Sequence, residues 1–353
     1  MTPVRAVQEH LAAFDDQVAL HLERLWEGVA QGPDAAALRA ALDDAVSGGK
    51  RFRPRLLAAV HASLGGSRDD ATVAQTAAAV ELLHTAFVVH DDVIDADDVR
   101  RGRASVPGRF RSAALRKGVT ASRAATYALA GGVLTGDLAL SAAFRAIATL
   151  PESAEIRTQV LDLVTRASSA SAAGELTDVR LSLGVDRPTT DAALALAEGK
   201  TAAYSFVLPM ELGATLAGAE ADVVAAVREA GRLLGIAFQL YDDLAGVFGD
   251  PAETGKSNLA DLREGKSTLM IVHARQTSSW PFMEAAWGDA ALTEERAAAV
   301  RAVLERCGSR AYVEAVASEH LEAGIAQARS AGLTVDVLEW LVTLPARPAV
   351  GAA

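Results

Sequence analysis

The residues in this chain whose types and spacing could do chemistry fall into two aspartate clusters, about 150 residues apart. The first is His90-Asp91-Asp92-Val93-Ile94-Asp95, followed by Arg100-Arg101-Gly102. The second is Gln239-Leu240-Tyr241-Asp242-Asp243, followed by a stretch carrying Lys256 and Lys266. Each puts carboxylates in an apolar stretch with helical spacing, where unpaired charge is costly. Carboxylates so placed suit the holding of cations, and the nearby Arg and Lys suit an anion resting on those cations. Two such sites facing each other would clamp a diphosphate.

On a helix, Asp91 and Asp95 share a face, and Asp92 is turned about 100° from Asp91. Asp91 and Asp95 are therefore expected to point into one cavity with Asp92 beside them. The same stripe runs back through Phe87, His84 and Val80, from paired carboxylates through a histidine to an apolar wall. Oxygen-only ligands with incomplete protein coordination suit Mg²⁺, which keeps waters and shares its shell with phosphate. A solvated acidic helix end is the other reading, although the helix dipole disfavours carboxylates there. Asp97 and Asp98 are expected to be solvated. Gln239 lies one turn before Asp242 and Asp243 on their face; a helix simply ending in polar residues is the alternative there.

Basic residues come from five places: Lys50, Arg51 and Arg53 after Gly48-Gly49; Arg100 and Arg101; Lys200; Lys256; and Lys266. Arg offers a planar fork to phosphate oxygens and Lys a mobile point charge. Any one of them taken alone has an ordinary surface residue as its reading.

Helices must position these groups. Apolar residues at helical spacing (Val7, Leu11, Phe14, Val18, Leu22, Leu25) predict a first helix within 1–30. It breaks at Gln31-Gly32-Pro33-Asp34, with Asp34 expected to cap the next helix. Gly48-Gly49 ends that one, Pro54 sits near the start of another, and a long helix over 70–94 delivers the first acidic cluster. Residues 100–118 are polar and basic, contain Pro107 and Gly108, and read as a loop. Further helices are expected near 120–149, 152–183, 188–198, 200–217, 219–247, 267–279, 292–306, 309–331 and 334–343. The connection 249–265, at 17 residues, is long enough to suggest function. With no strand alternation and no linker, the expectation is one all-α bundle over 1–344 and a disordered tail over 345–353.

Composition agrees. The chain has 353 residues, half of them hydrophobic, with 5% aromatics, and its Ala and Leu favour helix. A net charge of −11 disfavours a nucleic-acid partner, which needs a basic footprint. Cys307 is the only cysteine, which excludes an intrachain disulfide and a multi-Cys zinc site and fits a cytoplasmic setting. Residues 1–32 have no apolar core flanked by basic residues, so no signal peptide is expected. No run of about 20 uninterrupted apolar residues suggests a membrane span.

Five blocks occur in order: Gly48-Gly49-Lys50-Arg51-Phe52-Arg53-Pro54; Asp91-Asp92-Val93-Ile94-Asp95 with Arg100-Arg101-Gly102; Glu198-Gly199-Lys200-Thr201; Phe238-Gln239-Leu240-Tyr241-Asp242-Asp243; and Gly255-Lys256 with Gly265-Lys266. From about residue 45 to 270 this resembles the trans-isoprenyl diphosphate synthase (polyprenyl synthetase) family, and bacterial geranylgeranyl diphosphate synthases in particular. The resemblance implies an all-α bundle of the isoprenoid synthase type around a deep central cavity, acting as a prenyltransferase and a homodimer. Asp91, Asp92 and Asp95 would match the first aspartate-rich motif, and Asp242 and Asp243 the second, with three Mg²⁺ ions held when substrate is bound. Arg100, Lys200 and Lys256 would hold the allylic diphosphate (dimethylallyl, geranyl or farnesyl), with Gln239, Thr201 and Lys266 nearby. Lys50, Arg53, His84 and Arg101 would hold isopentenyl diphosphate. Ala86 and Phe87 would set product length, which points to geranylgeranyl diphosphate with farnesyl or longer products as alternatives. Class I terpene cyclase and non-catalytic synthase subunit are the more distant readings.

Two departures stand out. Gly246 occupies the place where the family commonly has a third Asp in the second motif, with Asp250 one turn further on as a possible substitute. Glu175 stands where the family has Gln, with Asp178 retained.

Overall fold

Alanine and leucine at helical spacing build helices almost throughout. The computed structural model describes residues 3–30, 32–66, 70–100, 102–184, 186–249, 258–334 and 337, excepting the side chains of 3–12, 70 and 260. The chain divides into two compact units, 1–162 and 163–353.

The first unit contains α1 (Pro3–Arg24), α2 (Pro33–Val46), α3 (Phe52–Ser63), α4 (Asp70–Ile94), α5 (Val106–Arg116) and α6 (Ala121–Ala148). Phe14, Val18 and Leu22 of α1 are buried at four-residue intervals, as the stripe predicts. Helix α4 packs extensively along α6, and glycines make the approach possible. A Cβ on Gly132 or Gly136 would lie 2.2 Å from Val93 or His90 of α4, respectively.

Two local expectations are corrected here. Helix α2 is preceded by Gly32, with Pro33 at its first position, and Asp34 lies in the first turn rather than at the cap. There its charge still complements the helix N-terminus. Residues 100–118 are not a loop. Val99–Arg100 (β1) pairs antiparallel with Arg103–Ala104 (β2), turning at Gly102 with φ 72°. Ser105 then caps α5, its Oγ accepting from Gly108 N at 3.0 Å. Pro107 falls in the first helical turn, where a missing N–H costs nothing, so these breakers mark a helix start.

Helix α7 (Ala154–Ser182) carries the chain into the second unit. Helix α8 (Thr190–Ala197) continues without a break into a π-helical stretch, Glu198–Val207, and then α9 (Leu208–Leu216). The two helices expected over 188–217 are thus one, and π-helical turns are frequent at functional sites. Helix α10 (Ala221–Phe248) packs against the π stretch and along α14 (Ser309–Ser330). Between them come α11 (Ala260–Glu264), α12 (Leu269–Arg275), 3₁₀ turns at Trp280–Phe282 and Glu284–Ala286, and α13 (Glu294–Arg306). The connection 249–265 therefore contains a short helix, and the helix expected to 279 stops at Arg275. Most of the helix expected over 334–343, and the tail 345–353, lie outside the described residues.

The fold is all-α, with one two-stranded ribbon among the described residues. Residues Ala71–Ile94 and Ala121–Ala148 are long and apolar enough to cross a membrane by length and composition alone. The most apolar window of the former is 78% buried within the protein, as befits a core helix.

Candidate active site

Helix α4 is buried along most of its surface. His84, Phe87, Val88 and Asp91 form a half-buried stripe at intervals of three or four, while Val80 is buried. The predicted face therefore exists up to Asp91. Asp95 differs. The helix closes at Ile94, Asp95 N donates to Asp91 O at 2.8 Å, and Ala96 turns left-handed at φ 55°. This leaves Asp95 exposed, while Asp92 is buried at 2% exposure.

Arg100 determines how the leading pair is arranged. The β1–β2 turn folds it back onto α4, where Nε donates to Asp92 Oδ1 and Nη2 to Asp91 Oδ2 at 2.9 Å. Burial raises the Asp92 carboxyl to about 6, against the opposing pull of Arg100. Asp97 and Asp98 are about half exposed, and Asp98 accepts from Arg111 Nε at 2.8 Å.

A cavity of about 140 Å³ opens beside this group, lined among others by Gly48, His84, Val88, Asp92, Arg100 and Arg103. It brings the Gly48-Gly49 turn, the histidine and the first acidic motif to one place. Lys50 is exposed and Arg53 half-buried. Arg51, between them, is turned inward. It adopts φ 50° and donates to Val46 O at 2.8 Å and to Glu81 Oε1 at 3.0 Å. Ala86 is fully buried, whereas Phe87 is half-buried. A separate hollow of about 300 Å³, lined by Asp15, Val18 and Asp43 among others, holds none of the motif residues.

In the second unit, α10 and the π stretch meet closely; a Cβ on Gly235 would lie 2.4 Å from Ala202 Cβ. Across this contact Thr201 Oγ1 donates to Gln239 Oε1 at 2.5 Å, and Gln239 Nε2 donates to Asp243 Oδ1 at 2.6 Å. The amide thus links the Lys200-Thr201 block to the second acidic motif. Lys200 Nζ lies 2.6 Å from Asp178 Oδ2 and 2.9 Å from Glu175 Oε2. Asp242 is exposed and Asp243 half-buried. Burial, and then the neighbouring Asp261, raise the Asp243 carboxyl well above its usual range, with the Gln239 hydrogen bond opposing. Lys266 Nζ sits 3.2 Å from Asp261 Oδ1 and 3.0 Å from Glu264 Oε2. Burial works against the Lys266 charge, but these carboxylates more than offset it and hold its pKa above the usual value.

The profile of the polyprenyl synthetase family matches residues 35–304. The chain belongs to this family. It is a prenyltransferase, similar to the geranylgeranyl diphosphate synthase of Mycobacterium tuberculosis (36% identity, over 83% of this chain and 78% of the relative). The geranylgeranyl diphosphate synthase of Methanosarcina mazei is 31% identical over 79% and 78% of the two chains. Among solved structures, a geranylgeranyl pyrophosphate synthase from Corynebacterium glutamicum, complexed with isoprenyl diphosphate and magnesium, superposes with a TM-score of 0.84. That pair shares 28% identity, with 97% and 98% of the two chains covered. A polyprenyl synthase from Caulobacter crescentus, complexed with calcium and isoprenyl diphosphate, gives a TM-score of 0.77 at 27% identity, with 98% and 97% covered.

Asp261, beside the second acidic motif of this polyprenyl synthetase, is not among the residues that the sequence pattern marks. Its Oδ2 lies 2.1 Å from where a Cβ of residue 246 would stand. No local pattern announces it, because it comes fifteen residues after Gly246 in sequence. Arg101, Asp250 and Lys256 lie outside the described residues. Among the described residues, no three Asp, Glu, His or Cys side chains converge as a ready-made metal cage. The paired Asp91 and Asp92 carboxylates are hard oxygen donors, which fits a cation that completes its shell with water and phosphate oxygens.

Proposed function

We propose that this chain condenses isopentenyl diphosphate head-to-tail with an allylic diphosphate and releases geranylgeranyl diphosphate. The observation that carries this reading is the Asp91–Arg100–Asp92 group at the edge of a cavity shared with His84 and Gly48. Asp91, Asp92 and Asp95 would hold Mg²⁺ at the first motif, and Asp242 and Asp243 at the second. Bound Mg²⁺ supplies charge neutralisation for the departing diphosphate.

Arg100, Lys200 and Lys256 are assigned to the allylic diphosphate, with Thr201, Gln239 and Lys266 supporting. Arg100 and Lys200 already sit against carboxylates, so the substrate's phosphates exchange for those partners rather than meeting bare cations. Fixed donors of this kind stabilise the charge that develops as the C–O bond ionises. Lys50, Arg53, His84 and Arg101 would hold isopentenyl diphosphate, whose double bond attacks the allylic cation. The released diphosphate takes the proton then lost. Phe87, half-buried on the motif face of α4, would limit how far the growing chain extends.

The geranylgeranyl assignment follows the names of the relatives and the single bulky residue at Phe87. Incubation of purified protein with Mg²⁺, isopentenyl diphosphate and dimethylallyl, geranyl or farnesyl diphosphate tests it. A C20 product from each starter is expected; no elongation from any of them would defeat the reading.

A homodimer in the cytoplasm is also proposed. Tyr127, Leu129, Val133 and Leu134 of α6 are 38–53% exposed, an apolar face suited to a second copy of this chain. Light scattering should give twice the 36.6 kDa chain mass.

A further inference from the structure

Arg275, the last residue of α12, is flanked by two indoles. Its Cζ lies 4.2 Å from the ring centroid of Trp287 and 5.1 Å from that of Trp280. The two rings cross edge-on with centroids 6.1 Å apart. Aromatic faces attract a cation, yet they do not satisfy the in-plane donors of its fork. Nη1 is shut off from solvent and has no hydrogen-bond partner among the described residues, which is costly for a charged donor. Arg275 as a whole is half-buried rather than enclosed.

Carboxylates nearby do not fill this need. Asp289 accepts from Arg296 Nη1. Glu284 acts on Arg275 less strongly than a second cation does: burial, and then the charge of the exposed Arg187, lower the Arg275 pKa, with Glu284 opposing. Two arginines thus stand together, an arrangement that an anion with several oxygens relieves.

The segment beside them is pinned. Trp287 Nε1 donates to Lys266 O at 3.2 Å, Arg296 Nη2 to Ala285 O at 3.2 Å, and Gly288 N to Leu262 O at 2.7 Å. Met283 is 1% exposed, whereas Phe282 between it and the Trp280 turn is 82% exposed. A fixed turn therefore presents a phenyl ring to solvent next to the two indoles and the arginine fork.

We propose that Arg275 and Arg187 bind the phosphate group of an amphiphile, whose apolar chain rests on Trp280 and Phe282. Such a phosphate could belong to a lipid headgroup in a bilayer or to a free chain-bearing phosphate.

The test titrates the purified protein in EDTA, which withholds the metal from the acidic motifs. Dodecyl phosphate below its micelle concentration is the soluble probe, read by tryptophan fluorescence and calorimetry. Vesicles of phosphatidylcholine with and without phosphatidylglycerol are the bilayer probe, read by co-sedimentation. Arg275→Gln should weaken binding by about tenfold or more, the scale of losing a charged hydrogen bond. Arg187→Gln should weaken it several-fold, and both variants should keep their turnover with soluble substrates. Co-sedimentation that needs phosphatidylglycerol and is lost in Arg275→Gln supports the proposal and identifies a headgroup. Binding of dodecyl phosphate without co-sedimentation supports it and identifies a free ligand. Binding of neither probe overturns it, as does equal affinity in the parent and both variants. Dodecanoate binding as tightly as dodecyl phosphate overturns the phosphate assignment. If Arg275→Gln does not fold, the exposed Arg187 decides: weaker binding in Arg187→Gln supports the proposal and unchanged binding overturns it.

Discussion

Arg100 donates from Nε to Oδ1 of Asp92, a carboxylate whose side chain is only 3% exposed. The same guanidinium reaches Asp91 through Nη2, so one fork organises the leading pair of the first motif. An ammonium could supply the charge but not the fork. Arg100→Lys should therefore lower kcat/KM by about a hundredfold, the scale of losing a preorganised donor, with little change in stability. Arg100→Ala goes further. It leaves the buried Asp92 without its counter-ion and should cost about 3 kcal/mol in urea unfolding.

Neighbouring basic residues in the Gly48–Pro54 block should divide into functional and structural ones. Arg51 satisfies the buried Glu81 and the carbonyl of Val46, whereas Lys50 is exposed. Arg51→Ala should destabilise the protein by about 3 kcal/mol, because it strands Glu81. Lys50→Ala should leave the unfolding midpoint unchanged and raise the KM for isopentenyl diphosphate. Denaturant titration beside steady-state kinetics distinguishes the two.

Phe87 and Ala86 should part company in the same way. Phe87 is half-buried on the face that leads to Asp91, and Phe87→Ala should lengthen the product beyond C20, read by chromatography of the dephosphorylated alcohols. Ala86 is 0% exposed. Ala86→Phe should overpack the core, at a cost of about 1–3 kcal/mol, rather than simply shorten the product. Unchanged product length in Phe87→Ala would remove that residue from the pocket floor.

His21 predicts an acid limit to stability. It is 4% exposed, neither ring nitrogen has a hydrogen-bond partner among the described residues, and burial, followed by Arg145 and Arg24, lowers its pKa below 6.5. The native state thus keeps His21 neutral while the unfolded chain takes up a proton below about 6.5. Its contribution to stability is complete above that pH and is lost as pH falls, with a slope of at most about 1.4 kcal/mol per unit. His21→Leu should flatten the decline measured between pH 7 and 5; an unchanged slope would remove His21 as its source.

The α4 stripe was legible because it is local. Residues 84, 87 and 91 share a face by helical geometry alone, and the structure keeps them there. Residues 100–118 misled because Pro107 and Gly108 break a helix interior but are welcome in its first turn after Ser105. Asp95 stands just past the last helical residue, Ile94, and is exposed, at a boundary that apolar periodicity does not mark. Asp261 was not legible at all. Its relation to Gly246 is a contact between two helices, and only the space around a missing Cβ reveals it.

Gly174 offers a test of how Lys200 is positioned. A Cβ at 174 would lie 2.5 Å from the backbone nitrogen of Lys200 and 2.8 Å from the carbonyl carbon of Gly199. Neither is the end of a flexible side chain, so α7 and the π stretch would have to move apart. Gly→Ala in a helix gains about 1 kcal/mol in propensity, while overpacking costs about 1–3 kcal/mol. The net change in stability for Gly174→Ala should therefore be small, near 1 kcal/mol of loss. Activity should respond far more strongly. Lys200 would shift relative to Asp178 and Glu175, and a displacement of about 1 Å can cost a hundredfold in rate. Gly199→Ala is the matched control. Its nearest neighbour would be Ala170 O at 3.5 Å, an ordinary contact, so it should gain up to about 1 kcal/mol in stability and leave kcat nearly unchanged. Equal losses in the two variants would show that the helix crossing does not position Lys200.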